Sequence, residues 1–186
     1  MSKSSRDIKG QYFDYVEDIA GEGGKFFKIG DNGEAVLVAA YKDVPESGCL
    51  TAFSFGLSDA VHPEWVESRP ELVISVNSDD YAWALAMGEI IKNGRGKSLF
   101  SYGSILNFGT PISEESSMSA FFVFVCNVLE EDDLKIQLTD RVVNLSQIYP
   151  IYQAEIPLIK KIGVEKFFTG FDIDFFNVRR DVMSLV

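Results

Sequence analysis

The sequence predicts an α+β fold: a mixed, mainly antiparallel sheet packed with about three helices. Three observations carry this expectation. Strand-like runs come in adjacent pairs separated by turn residues and do not alternate regularly with helices. Three stretches carry apolar residues at helical spacing or continuous helical apolarity. Hydrophobic residues make up 46% of the 186 residues, with fifteen Phe and seven Tyr, enough for an aromatic core in a single domain spanning 1–186 without disulfides or metals.

The elements follow in order. Ile8, Tyr12, Tyr15, Val16 and Ile19 recur at helical spacing, so 5–20 reads as an amphipathic helix ended by Gly21, Gly23 and Gly24. Strands at 25–29 and 34–41 flank Gly30-Asp31-Asn32-Gly33, whose Asn-Gly is a strong hairpin signal. A third strand, 50–57, places Phe53 and Phe55 on one face, and a fourth, 71–76, aligns Leu72, Ile74 and Val76. Ser78 reads as the cap of a second helix with Asp79 and Asp80 in its first turn. That helix runs to about Lys92 and is apolar on most sides, as a core helix is. An extended stretch at 98–108 follows. Strands at 120–128 and 134–138 flank the acidic turn Glu130-Glu131-Asp132-Asp133, and a short strand occupies 141–145. Residues 150–162 read as the third helix. Pro157 moves its regular part to about Glu155, and Gly163 ends it. The aromatic tail, 167–186, is expected to pack on the body.

Charge narrows the function classes. Seventeen Lys and Arg against 28 Asp and Glu give a net charge of −11. Such a field repels nucleic-acid backbones and anionic lipid and attracts a basic protein. Residues 111–140 hold seven acids (Glu114, Glu115, Glu130, Glu131, Asp132, Asp133 and Asp140) against Lys135. If the two loops that carry them meet in space, they form a docking patch for a protein partner. Cys49 and Cys126 read as buried free thiols of a reducing compartment. No apolar leader or spanning run is visible, which points to the cytoplasm.

The search for catalytic chemistry yields little. His62 is the one histidine and sits in a proline-containing loop. Gly56-Leu57-Ser58-Asp59-Ala60 approaches a nucleophile elbow but lacks its last glycine and its following helix. Gly94-Arg95-Gly96-Lys97-Ser98 resembles the end of a phosphate-binding loop, yet it follows a helix and has Ile91 where the first glycine belongs. One histidine and two distant cysteines do not make a zinc site, and the acidic turn lacks calcium-loop spacing. No catalytic residue, metal or cofactor is therefore expected. The competing readings are an enzyme using His62 with Asp59, Glu64 or Glu71, or a housekeeping peptide-binding scaffold.

One block carries a family resemblance. Residues 69–76 (RPELVISV), followed by Trp83-Ala84-Leu85-Ala86 on a helix, resemble the suppressor-of-fused domain family. The order downstream agrees: Thr110-Pro111-Ile112, the apolar run 121–125, Pro150 and Glu155, Lys161-Ile162-Gly163 and Phe167-Phe168. The resemblance covers 51–168. It implies an α+β domain without enzymatic activity. In the eukaryotic member it implies the clamping of a short peptide as an added strand. In bacterial single-domain relatives it implies immunity proteins encoded beside secreted toxins, and this chain is of that length.

Overall fold

A computed structural model describes residues 7–31 and 33–183. It contains α1 (Ile8–Ala20), β1 (Lys25–Ile29), β2 (Val36–Lys42), β3 (Leu50–Phe55), β4 (Arg69–Val76), α2 (Ala82–Gly94), β5 (Ile105–Asn107), β6 (Ala120–Phe124), β7 (Lys135–Gln137), β8 (Val142–Ile151), α3 (Ile156–Ile162) and α4 (Val164–Thr169). The strands form one sheet in the order β1-β2-β3-β4-β8-β6-β5, with β7 also on β8. Every pairing is antiparallel except β4 with β8. The α+β class and the mainly antiparallel sheet expected from the sequence are what the fold shows.

Strand alternation divides the core. Leu72, Ile74 and Val76 of β4 join Leu50, Ala52, Trp83, Met87 and Ile91 in a cluster beneath α2. Phe53, Phe55 and Val73 point the other way, onto Tyr12 and Val16 of α1. Phe122, Tyr149 and Ile151 face α3, α4 and the tail, where they meet Phe167 and Phe175. The sheet is thus covered on one face by α2 and on the other by α1 and the C-terminal elements. Asp7 caps α1 through its carboxylate and the Gly10 N–H, 2.8 Å apart. Residues 5, 6, 32 and 184–186 of the expected helix, hairpin and tail lie outside the described residues.

Four expectations need correcting. Residues 141–151 are not a short strand and the lead-in to a helix at Pro150, although the regular helix does begin beside Glu155, at Ile156. They form the ten-residue β8 at the middle of the sheet. Pro150 is tolerated because the β4 pairing stops at Ile148, so its missing N–H removes no bond to that neighbour. The second helix starts at Ala82, not at a Ser78 cap. Ser78 Oγ accepts from the Asp80 N–H and Asp80 Oδ1 accepts from the Ala82 N–H, so these side chains hold a turn ahead of the helix. The helix is also less uniformly buried than its composition suggests, since Leu85 is exposed and Ile90 half-buried. Finally, β6 ends at Phe124, short of the expected 120–128, and within the extended stretch 98–108 the strand is Ile105–Asn107.

Candidate partner-binding surface

The seven acids expected to form a patch are placed at two ends of the sheet. Glu115 lies beyond the C-terminal end of β4. Its carboxylate accepts from the Ser78 hydroxyl, from Trp83 Nε1 at 2.9 Å and from the Arg179 guanidinium. Three donors from three segments make it a structural anchor; Glu114 beside it is exposed. Residues Glu131–Asp133 form an exposed 3-10 turn entering β7, which pairs with the first residues of β8. Because β4 and β8 run parallel, this is the opposite end of the sheet from Glu115. The structure therefore does not bring the two acidic loops together. Asp140 lies on the tight connection between β7 and β8, at the other end of β7 from the turn, and chelates Arg141 through both oxygens. That guanidinium holds the Asp140 carboxyl below its ordinary range.

Docking of α1 adds acids that the sequence does not connect to this surface. Tyr15 donates its hydroxyl to the Asp133 carbonyl at 3.1 Å, and Gln11 Oε1 accepts from the Thr139 N–H at 2.9 Å. Both residues stand on one α1 face, four apart. Exposed Asp14 and Asp18 lie on the neighbouring row. α1 thus lies along β7, tied at one end to the turn that carries Glu131 and Asp132 and at the other to the connection that carries Asp140. No spacing signal could show this, because it depends on a contact 118 residues apart.

The segments examined for chemistry have structural partners. Glu71 is fully buried. Its carboxylate accepts from the Ser54 hydroxyl at 2.6 Å and from the Gly56 and Ser58 N–H groups at 2.8 Å each. Burial outweighs these bonds and pushes its pKa up. The Ser58 carbonyl is in turn held by Arg69 and Arg141. Asp59 pairs with Arg141. His62 Nδ1 accepts from the Glu64 N–H and its ring lies against Trp65. Ser54 and Glu71 are therefore partners of each other in bracing the loop after β3. Arg95, from the loop after α2, reaches the carbonyls of Gly56 and Glu34. Both cysteines are buried and free; burial pushes the Cys126 thiol up to about 11.

Among the described residues β1 and β5 are the end strands of the sheet, and β7 pairs with β8 alone. Beside β5 runs a groove of about 540 Å³, lined by Ile105, Leu106 and Asn107 on one side and Glu89, Ile90 and Asn93 of α2 on the other. The Ser104 carbonyl accepts from Val123 of β6 and the Phe108 N–H donates to the Ser119 carbonyl just before β6, so the alternating groups of Ile105 and Asn107 face the open edge. No described helix is long and apolar enough to cross a membrane.

Comparisons with known proteins agree on one family. The sequence model for the suppressor of fused protein (SUFU) matches residues 32–181. No curated protein matches the chain. A crystal structure described as a SUFU homologue from Neisseria gonorrhoeae superposes with a TM-score of 0.74 at 18% identity, covering 95% of this chain and 96% of that one. The crystal structure of a Sufu–Fu complex gives a TM-score of 0.69 at 14% identity, covering 97% of this chain and 93% of that one. Drosophila Suppressor of Fused gives 0.58 at 15% identity, with 80% of this chain matched to 42% of the fly protein. With the sequence match spanning most of its length, the chain belongs to the suppressor-of-fused family.

Proposed function

We propose that this chain is a non-catalytic protein-binding domain that acts as a cytoplasmic immunity protein, neutralising a basic toxin by direct contact. The observation that carries the reading is the acidic surface assembled by α1 and the turn before β7, on a chain of net charge −11. Complementary fields of this kind raise association rates and select partners by sign. The bacterial homologue of the same fold supports a single-domain context.

A second reading uses the other end of the sheet. The groove beside β5 pairs an open edge with apolar and polar α2 side chains, the requirements for adding an extended peptide as a strand. A relative of this fold crystallised as a Sufu–Fu complex supports protein binding in general.

One experiment separates the two. The chain is mixed with a basic toxin domain drawn from its neighbouring reading frames, and association is followed at low salt. Converting Glu130, Glu131, Asp132 and Asp133 to Lys is expected to slow association about tenfold or more. An unchanged rate removes the acidic surface from the account. Asn107→Pro deletes an open-edge N–H without touching the β5–β6 bonds; loss of binding with that variant alone would assign the contact to the β5 edge.

A further inference from the structure

A cavity of about 380 Å³ opens between the 62–70 loop and the 98–104 loop, over the first half of β8. Trp65 and Tyr102 supply aromatic walls, and Asn144 and Ser146 of β8 supply a polar floor. Glu64 is the one charged side chain that lines it, is exposed, and makes no ion pair among the described residues. Asn144 donates its amide to Ser146 Oγ at 3.4 Å, leaving its carbonyl oxygen without a donor among the described residues.

The walls are held in place before any ligand arrives. Trp65 Nε1 donates to the Leu99 carbonyl at 3.1 Å, tying the two loops together. The Trp65 N–H bonds to the His62 carbonyl, and the Glu64 N–H to His62 Nδ1. Phe100, a wall shared with the β5 groove, is buried with φ of 52°. That is a strained conformation for a bulky side chain, of the kind retained where a surface is shaped for contact. Of the seven large hydrophobic side chains exposed among the described residues, Val66 and Tyr102 belong to these two loops and Val61 directly precedes the first. Tyr102 is the one of these that lines the cavity, whose single charged side chain is negative and whose Asn144 carbonyl oxygen is an available acceptor.

We infer that this cavity receives an arginine side chain from a basic protein partner. A guanidinium is planar, stacks on aromatic faces and can engage one carboxylate through two N–H groups. Here the faces are Trp65 and Tyr102, the carboxylate is Glu64, and the Asn144 carbonyl accepts a further N–H. The inference rests on the proposed basic partner and names the place that anchors it, on different residues from the acidic surface around β7.

The test titrates the full chain with the peptide acetyl-Gly-Arg-Gly-amide and with its citrulline counterpart, a neutral near-isostere, while recording the tryptophan indole N–H resonances. Trp65 is the reporter, and Trp83, buried under α2, is the internal control of folding. The arginine peptide is expected to shift the Trp65 resonance saturably and leave Trp83 in place; the citrulline peptide is expected to leave both unmoved. Glu64→Gln and Tyr102→Ala, both at exposed side chains, are each expected to weaken the response about fivefold while Trp83 stays unchanged. Equal responses to the two peptides, no response at Trp65, or full affinity in both variants would overturn the assignment. The assay needs no toxin. Its failure alongside slowed association of the charge-reversed turn would discard the pocket and leave the basic-partner reading standing.

Discussion

Glu71 shows what a single residue does in this fold. It is fully buried on β4, two residues after the start of the strand, and its two oxygens organise the chain leaving β3. Replacing it with Ala orphans the Gly56 and Ser58 N–H groups, at about 1–3 kcal/mol each. Burial raises its folded pKa above the ordinary value of 4.5. The folded state then holds a proton more tightly than the unfolded chain. The stability linked to that proton is complete below the ordinary carboxylate range and is lost as pH rises through the raised value. Glu71→Gln keeps a neutral acceptor for both N–H groups and removes the titration. Urea midpoints between about pH 5 and pH 8 are therefore expected to fall less steeply in the Gln variant than in the parent chain. Parallel pH profiles would show that the carboxylate stays ionised throughout. The sequence marks Glu71 as a polar residue in an apolar strand and as one of three carboxylates that could join His62. Its partners Ser54, Gly56 and Ser58 come from the preceding strand and loop, so their convergence is visible only once β3 and β4 pair.

At the scale of elements, α2 approaches the sheet closely because Gly88 has no side chain. A Cβ there would stand 2.4 Å from Ile29 Cδ1 and 3.1 Å from both Ile29 Cγ1 and Val38 Cγ2. Gly88→Ala gains about 1 kcal/mol of helix propensity, but it overpacks a contact whose neighbours are β-branched and held in strands, which costs about 1–3 kcal/mol. The expected outcome is a lower thermal midpoint, with Ile29→Val in the same chain recovering part of it; a rise in the midpoint would show that Ile29 yields without cost. The apolar stretch of α2 and the hairpin of β1 and β2 are legible in the sequence because their signals are local: helical apolarity, and a turn between two alternating runs. The long β8 is not. Its Asn144, Ser146 and Gln147 break the apolar pattern, and Pro150 imitates a helix start. Those residues are strand because β4, β6 and β7 pair with them from both sides. The acidic candidates divide in the same way. Their density between 111 and 140 is plain in the sequence, whereas their separation to opposite ends of the sheet follows from the parallel pairing of β4 with β8.

The whole molecule is closed by its C-terminal tail. Phe175 enters the cluster beneath α3 and α4, and Val178 enters the one beneath α2, so the segment joins the two faces around the end of the sheet. The Asn77 N–H donates to the Phe176 carbonyl at 2.7 Å, holding the tail to the exit of β4. Arg179 reaches Glu115, and Arg180 reaches Glu155, a carboxylate with no exposed surface. Glu155 also accepts from the Tyr152 N–H at 3.0 Å and the Met183 N–H at 2.9 Å. Removing the arginine leaves that charge buried and uncompensated. Arg180→Met is expected to cost about 3–5 kcal/mol, the scale for breaking a buried pair from one side. Arg180→Met with Glu155→Leu is expected to recover only part of this, because the Tyr152 and Met183 N–H groups then lose their acceptor. Native-state hydrogen exchange distinguishes a strap from a local contact. If the tail closes both faces, amides of β4, of β8 and of the helix that follows it exchange faster together in Arg180→Met. If only amides near Arg180 respond, the tail is a passenger on a sheet that is stable without it.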